Sequence, residues 1–244
     1  MKKFLAIFCM SIMLCSCSSS KTTKETEQTA EQLYKKGYEY LQKTSYVKAA
    51  ESFEKLELEH PYSKWAVKSK LMGAYAYYKA LKYDDAVMAL DRFIKFHPSN
   101  KDVAYAHYMK GLCYYDQIAP AQKDQSNTKK AQEAFMQLII LFPQTDYAAD
   151  AKEKIKLIVD HIAGQEMNVG RYYLKNQNYL SALNRFNFVV ENYQTTPQIE
   201  EALYRQVEIY TIMGLKNQAI KSAKVLEHNY PESNWNKSAQ KIVK

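Results

Sequence analysis

The chain has 244 residues, 47% hydrophobic and 25% charged, with only 6 Gly, 6 Pro and 4 Cys and a formal net charge of +8. That apolar content suffices for a full buried core, and the few Gly and Pro with no alternating strand pattern exclude an all-β fold. Thirty of the thirty-four basic residues are lysines dispersed along the chain, unlike the arginine-bearing stripe that nucleic acid would select, so no nucleic-acid partner is expected.

Lys2 and Lys3 precede an apolar run from Phe4 to Leu14, which is too short to span a bilayer, so residues 1–16 read as a cleaved secretory leader. Leu14-Cys15-Ser16-Cys17 resembles the bacterial lipobox, with Cys17 as the residue to be lipidated; Cys15 fits less well, because Leu14 would then take the place of the small residue. The alternative is ordinary leader cleavage with incidental cysteines. The lipobox resemblance implies a diacylglycerol thioether and an amide-linked acyl chain on Cys17, more than one chain being what stable anchoring needs. Ser18, in place of Asp, resembles the outer-membrane sorting choice. Residues 17–30 are polar and form a tether reaching about 20 Å as a flexible coil. Cys9 and Cys15 leave with the leader and Cys17 is acylated, so Cys113 is alone, no internal disulfide forms, and Cys113 reads as a small buried hydrophobe.

Beyond the tether the chain repeats itself. His60-Pro61, His97-Pro98, Phe142-Pro143 and Tyr230-Pro231 each end an apolar segment, and Ala49/Phe53 and Ala131/Phe135 stand at the same offsets before their prolines. A further unit, Ala182, Phe186 and Tyr193, carries Gln194 where proline is expected, which predicts a looser end. The units fit the tetratricopeptide pattern of about 34 residues, two antiparallel helices A and B per repeat. The repeats fall at about 31–62, 65–98, 102–143, 163–195 and 199–231, with a final helix from about 234. Small residues such as Gly37 and Ala49 mark where the two helices cross. Pro61-Tyr62-Ser63-Lys64-Trp65, Pro143-Gln144-Thr145-Asp146-Tyr147 and Pro231-Glu232-Ser233-Asn234-Trp235 place Ser63, Thr145 and Ser233 as N-caps of the following helices. The third unit is lengthened by Ile118 to Gln125, a surface loop, and Asp84-Asp85 reads as part of the turn between helices A and B. Tyr147 to Ala163 keeps helical apolar spacing and reads as one extra helix, separate from or continuous with helix A of repeat four. The expected fold is all-α: a solenoid of about five repeats, an extra helix between repeats three and four, and a C-terminal helix. Residues 31–145 then form an N-terminal part and 146–244 a C-terminal part.

No phosphate loop, His-Glu-x-x-His, Cys-x-x-Cys or Gly-x-Ser-x-Gly occurs. His60 and His97 occupy the position of Phe142, Tyr193 and Tyr230, and His107, His161 and His228 lack a second ligand at helical spacing, so neither metal nor cofactor nor catalysis is expected. The 21 tyrosines carry more. By resemblance to tetratricopeptide units, the second, fifth, ninth and twelfth positions of helix A face the concave groove. That stripe holds Tyr34 and Tyr38, then Tyr75 and Tyr78, then Tyr105, Tyr108 and Tyr115, but in repeats four and five it is mixed: Met167, Arg171, Leu174, Glu201, Tyr204 and Glu208. Tyrosine offers rigid apolar area with a hydroxyl, suited to an adaptable peptide site, although the same residues would equally fill the interfaces between repeats.

Ala74-Tyr75-Ala76-Tyr77-Tyr78-Lys79, Ala89-Leu90-Asp91-Arg92-Phe93-Ile94-Lys95-Phe96-His97-Pro98 and Tyr105-Ala106-His107-Tyr108-Met109-Lys110-Gly111-Leu112 together resemble the BamD family of outer-membrane β-barrel assembly lipoproteins. So do Phe142-Pro143-Gln144-Thr145-Asp146-Tyr147 and Asn178-Tyr179-Leu180-Ser181-Ala182-Leu183-Asn184-Arg185, and the likeness covers nearly the whole mature chain. It departs at Lys110, where the family often has arginine, and at Gln194. The resemblance implies a non-enzymatic subunit, lipid-anchored in the outer membrane and facing the periplasm. Its N-terminal repeats would receive the C-terminal targeting strands of unfolded barrel proteins. Its C-terminal repeats, with Arg185 and Arg171, would dock the central barrel subunit BamA, and accessory assembly lipoproteins would join. Arg92 is left between bracing repeat two and touching the groove. A tetratricopeptide scaffold of another envelope system, pilus-secretin or peptidoglycan-linked, is the rival reading.

Overall fold

The computed structural model describes residues 28–120 and 123–244. The leader, Cys17 and the tether up to residue 27 lie outside the described residues. Among those described there are eleven α-helices: α1 (Ala30–Gln42), α2 (Tyr46–Glu59), α3 (Ala66–Lys79), α4 (Tyr83–Phe96), α5 (Val103–Tyr115), α6 (Ser126–Leu141), α7 (Asp146–Lys175), α8 (Tyr179–Asn192), α9 (Ile199–Ile212), α10 (Lys216–Asn229) and α11 (Asn234–Val243). Each packs on its chain neighbours, so the fold is the expected all-α solenoid of five A/B pairs with α11 closing the last. α1 touches α3, α3 touches α5 and α5 touches α7, whereas α2, α4 and α6 make no comparable approach to one another. Helices A therefore line the concave side.

The extra helix is continuous with helix A of repeat four. α7 runs unbroken for 30 residues. Ala151, Ile158 and Ile162, reaching just past its midpoint, join Ala131, Phe135 and Leu138 of repeat three, and Ala163 and Met167 beyond them join Ala182 and Phe186 of repeat four. One helix thus closes one repeat and opens the next.

All five helices B end alike. His60, His97, Phe142, Tyr193 and Tyr230 have φ between −131° and −137° and ψ between 41° and 55°. In each case the carbonyl of this residue accepts the backbone N–H three residues on. Tyr193 does so without a following proline, its carbonyl bonded to Thr196 N at 3.1 Å, so the expected looser end to repeat four is not found. The aromatic or histidine ring, packed between repeats, holds the bend where proline is missing.

Two of the three expected N-caps form: Thr145 accepts from Ala148 N and Ser233 from Trp235 N. Ser63 does not cap α3. There the link makes a second turn, in which Ser63 O accepts from Ala66 N, and Trp65 starts the helix without a side-chain cap. Asp84 and Asp85 lie in the first turn of α4 rather than in the preceding turn, where their charge complements the helix dipole.

The helix crossing explains the small residues. A Cβ on Gly37 would stand 2.7 Å from Phe53, one on Gly111 2.4 Å from Phe135, and one on Gly170 2.6 Å from Phe186. At the same two positions repeat two has Ala74 and Leu90, and repeat five has Val207 and Ala223, all buried. As one side chain grows the other shrinks, so the distance between helices is kept. We expect Gly111→Ala to destabilise the chain by about 1–3 kcal/mol through overpacking. Adding Phe135→Leu, which recreates the pair of repeat two, should recover most of that loss in chemical denaturation.

Candidate functional site

Repetition of the linking motif has a structural purpose that the sequence alone did not reveal. Trp65, Tyr147 and Trp235, each four residues after a proline, pack on the fifth position of the preceding helix A. Tyr34 and Trp65 have ring centroids 4.6 Å apart at 28°, Tyr108 and Tyr147 5.3 Å apart at 29°, and Tyr204 and Trp235 5.1 Å apart at 39°. Tyr105 also meets Tyr147, at 5.4 Å. These aromatic clasps join repeats one, three and five to the helix that follows.

The seven predicted groove tyrosines divide accordingly. Tyr105 and Tyr108 are brought together on Tyr147, with Tyr75 beside Tyr105. Tyr78 donates to Asp116 Oδ2 at 2.7 Å and Tyr108 to Asp150 Oδ2 at 2.5 Å. Tyr115 packs on Phe135 beneath Lys154 Nζ, which lies 5.0 Å from its ring and bridges to Asp150. Tyr34 is half-buried under Lys68, and Tyr38 is 48% exposed. Burial pushes the Tyr105 phenol up to about 12. Burial and then the aspartate bond raise Tyr78 and Tyr108. These hydroxyls therefore stay protonated donors at physiological pH. The stripe both fills interfaces and leaves ring faces at the concave surface. Tyr147 and Trp65 belong to it and were missed as groove residues; the repeated proline-to-aromatic spacing was the available signal.

In repeats four and five the concave face is charged and closed on itself. Arg171 donates to Glu201 at 2.8 Å and to Asn168 at 2.6 Å. Arg205 binds Glu201 at 3.2 Å and Glu208 at 2.8 Å, with its guanidinium 5.4 Å from the Tyr204 ring. Arg185 lies elsewhere, on α8. It donates to Glu166 of α7 at 3.1 Å and borders a recess of about 240 Å³ with Tyr173, Asn184 and Phe188. The two arginines chosen from sequence thus belong to separate surfaces. Arg92 is exposed and lines a recess with Glu54, Tyr77 and Met88, outside the helix A stripe.

Other singled-out residues are structural. Cys113 is fully buried, and burial pushes its thiol up to about 12. Lys110 pairs with Asp91 at 2.7 Å, joining α5 to α4. His60 Nε2 lies 2.7 Å from Gln28 O and fixes the start of the first repeat. No group of residues suited to a metal ion occurs among the described residues, and none of their helices is long and apolar enough to cross a membrane.

A family model described as YfiO, outer membrane lipoprotein, matches residues 26–226. The chain is 42% identical to outer membrane protein assembly factor BamD of Rickettsia prowazekii, over 100% of this chain and 97% of that protein. It is 38% identical to the BamD of Caulobacter vibrioides, over 96% of this chain and 77% of that one. Among solved structures, the TPR2AB domain of yeast Sti1 aligns with 88% of this chain and 84% of its own at 14% identity, with a TM-score of 0.45. A protein of stacked helical repeats, an α-solenoid, is what the fold defines. The chain belongs to the YfiO family of outer membrane lipoproteins, whose curated members here are named BamD.

Burial, followed by nearby Lys70, lowers the His97 imidazole below its ordinary 6.5; burial, followed by Lys110, lowers His107. Such groups stay neutral in the fold while the unfolded chain takes up protons, so stability falls as pH drops below about 6.5 and the loss is complete below the folded values. The thermal midpoint should therefore fall between about pH 7.5 and about pH 5. His97→Tyr, which installs the residue found at Tyr193 and Tyr230, should reduce that dependence, and an unchanged pH profile in the variant would count against burial of His97 as its cause.

Proposed function

We propose that the chain is a non-enzymatic lipoprotein subunit of the outer-membrane β-barrel assembly machine. Its anchor is an acylated Cys17 that holds the solenoid at the outer membrane, facing the periplasm. Repeats one to three receive the C-terminal targeting strand of an unfolded barrel protein, and repeats four and five dock the central barrel subunit, with accessory assembly lipoproteins joining. Family membership supports the assembly role. The observation that carries the division of labour is the contrast between the two concave faces: half-buried aromatic rings along Tyr34, Tyr75, Tyr105 and Tyr108, against a paired arginine–glutamate network at Arg171, Glu201 and Arg205.

An extended strand ending in an aromatic residue suits the first face. Its alternate side chains lie on rigid rings, and the hydroxyls of Tyr78 and Tyr108, whose single protons go to Asp116 and Asp150, accept from its backbone N–H groups. Tight internal pairing leaves the second face little capacity for such a ligand, so docking in that half falls to Arg185 and the recess beside it. Opening the Arg185–Glu166 bond lets a partner's carboxylate replace Glu166, and a guanidinium binds such a group through two parallel hydrogen bonds.

Tyr75→Ala combined with Tyr78→Ala should weaken a peptide ending in an aromatic residue by about tenfold or more in a fluorescence titration. Photoreactive residues at Tyr75 and Arg185 in intact cells should capture a nascent barrel protein and the central subunit respectively. Unchanged affinity together with capture of neither would remove this reading.

A further inference from the structure

The turns between helices A and B all lie along one edge of the stack, opposite the proline-bearing links. In repeats four and five this edge is chemically unlike that of repeats two and three. Tyr172 is 66% exposed, Leu180 63% and Ile212 51%, and Met213, Leu215 and Ile220 are exposed beside them. The flanking charges are Lys175, Lys216 and Lys221, which form no ion pair among the described residues. No Asp or Glu occurs from Met167 to Val190, nor from Ile209 to Leu226. Repeats two and three differ: Asp84 and Asp85 begin α4, Asp116 follows α5, and Asp124 precedes α6.

We propose that this edge of repeats four and five rests on an anionic phospholipid surface. Exposed aliphatic and aromatic side chains flanked only by lysine match the boundary between acyl chains and headgroups, and a carboxylate at the same edge would be repelled by lipid phosphate. The cations are free, so contact with phosphate breaks no ion pair within the fold. Each lysine near such a surface contributes about fivefold in binding. A protein partner of ordinary surface composition would instead select some carboxylate on this edge for its own lysines. Gln28, held by His60, lies on the link edge at the other end of the stack. With an anchor at one end and this contact at the other, the solenoid lies along the membrane and cannot swing freely.

Mature chain carrying Cys17→Ser, so that no acyl group contributes, is sedimented with vesicles of phosphatidylethanolamine and phosphatidylglycerol and, separately, of phosphatidylcholine. Binding to the anionic vesicles is expected, about tenfold or more weaker to phosphatidylcholine. Ile212→Ser with Met213→Ser, and separately Lys216→Gln with Lys221→Gln, should each reduce anionic binding about tenfold or more, since they remove the two contributions one at a time. Tyr62→Ser, at a fully exposed side chain on the link edge, should leave it unchanged. All these side chains are exposed, and an unchanged thermal midpoint verifies the fold. The proposal is overturned by absence of anionic binding, by equal binding to both vesicle types, or by an equal loss in Tyr62→Ser. Loss of a copurifying protein in the edge variants without vesicle binding would also overturn it, and would assign the edge to that protein.

Discussion

Where helices A and B of a repeat cross, two side chains share a space that admits only a fixed combined bulk, and the solenoid inherits its spacing from that crossing. Gly37, Gly111 and Gly170 leave room that Phe53, Phe135 and Phe186 fill, while Ala74 with Leu90 and Val207 with Ala223 reach a similar sum from other directions. Because the interior is close-packed, a change in that bulk would tilt one helix against the other, and the tilt would pass to every later repeat. The aromatic clasps depend on it as well. Tyr108 meets Tyr147, and Tyr204 meets Trp235, only if the preceding pair has set its A helix at the right depth.

From that common frame two concave faces arise with opposite chemistry. In the first three repeats the polar ends of the tyrosines are tied to carboxylates of a later element, Tyr78 to Asp116 and Tyr108 to Asp150, which orients the rings without covering them. In the last two, the Arg171–Glu201–Arg205 chain satisfies nearly every charge internally. A buried or half-buried network of this kind rigidifies a surface and fixes its shape. The first face is aromatic and only partly buried, and the second is charged and internally paired.

Periodic features were legible from sequence because each repeat restates them. The proline intervals, the Ala49/Phe53 register and the five repeat positions all translate into observed helices, and Thr145 and Ser233 cap as their motif suggests. Features set by three-dimensional neighbours were not legible. Ser63 shares the motif of Thr145, yet its link makes one more turn, and no local residue announces that. Gln194 suggested a frayed end because proline was assumed to cause the bend, whereas Tyr193 adopts the common geometry unaided. Glu201 pairs with Arg171 from 30 residues away, and Asp116 with Tyr78 from 38, distances at which only the stacked fold brings side chains together. The seven tyrosines were identifiable as a stripe, but which ring faces stay open depends on Trp65 and Tyr147 arriving from the following helix.

α7 has a consequence for how the chain acquires its structure. Thirty residues of helix are about 45 Å long, and their first half supplies the wall that repeat three lacks while their second half begins repeat four. A chain emerging from its N-terminus can complete repeats one and two as it appears, but repeat three stays open on one side until residues beyond Ile162 have emerged. Once the helix forms to close that side, it already presents Met167 and Gly170 to the segment containing Phe186. Completion of the first three repeats therefore nucleates the last two, and a chain interrupted at the boundary between them would leave an apolar wall exposed on each piece.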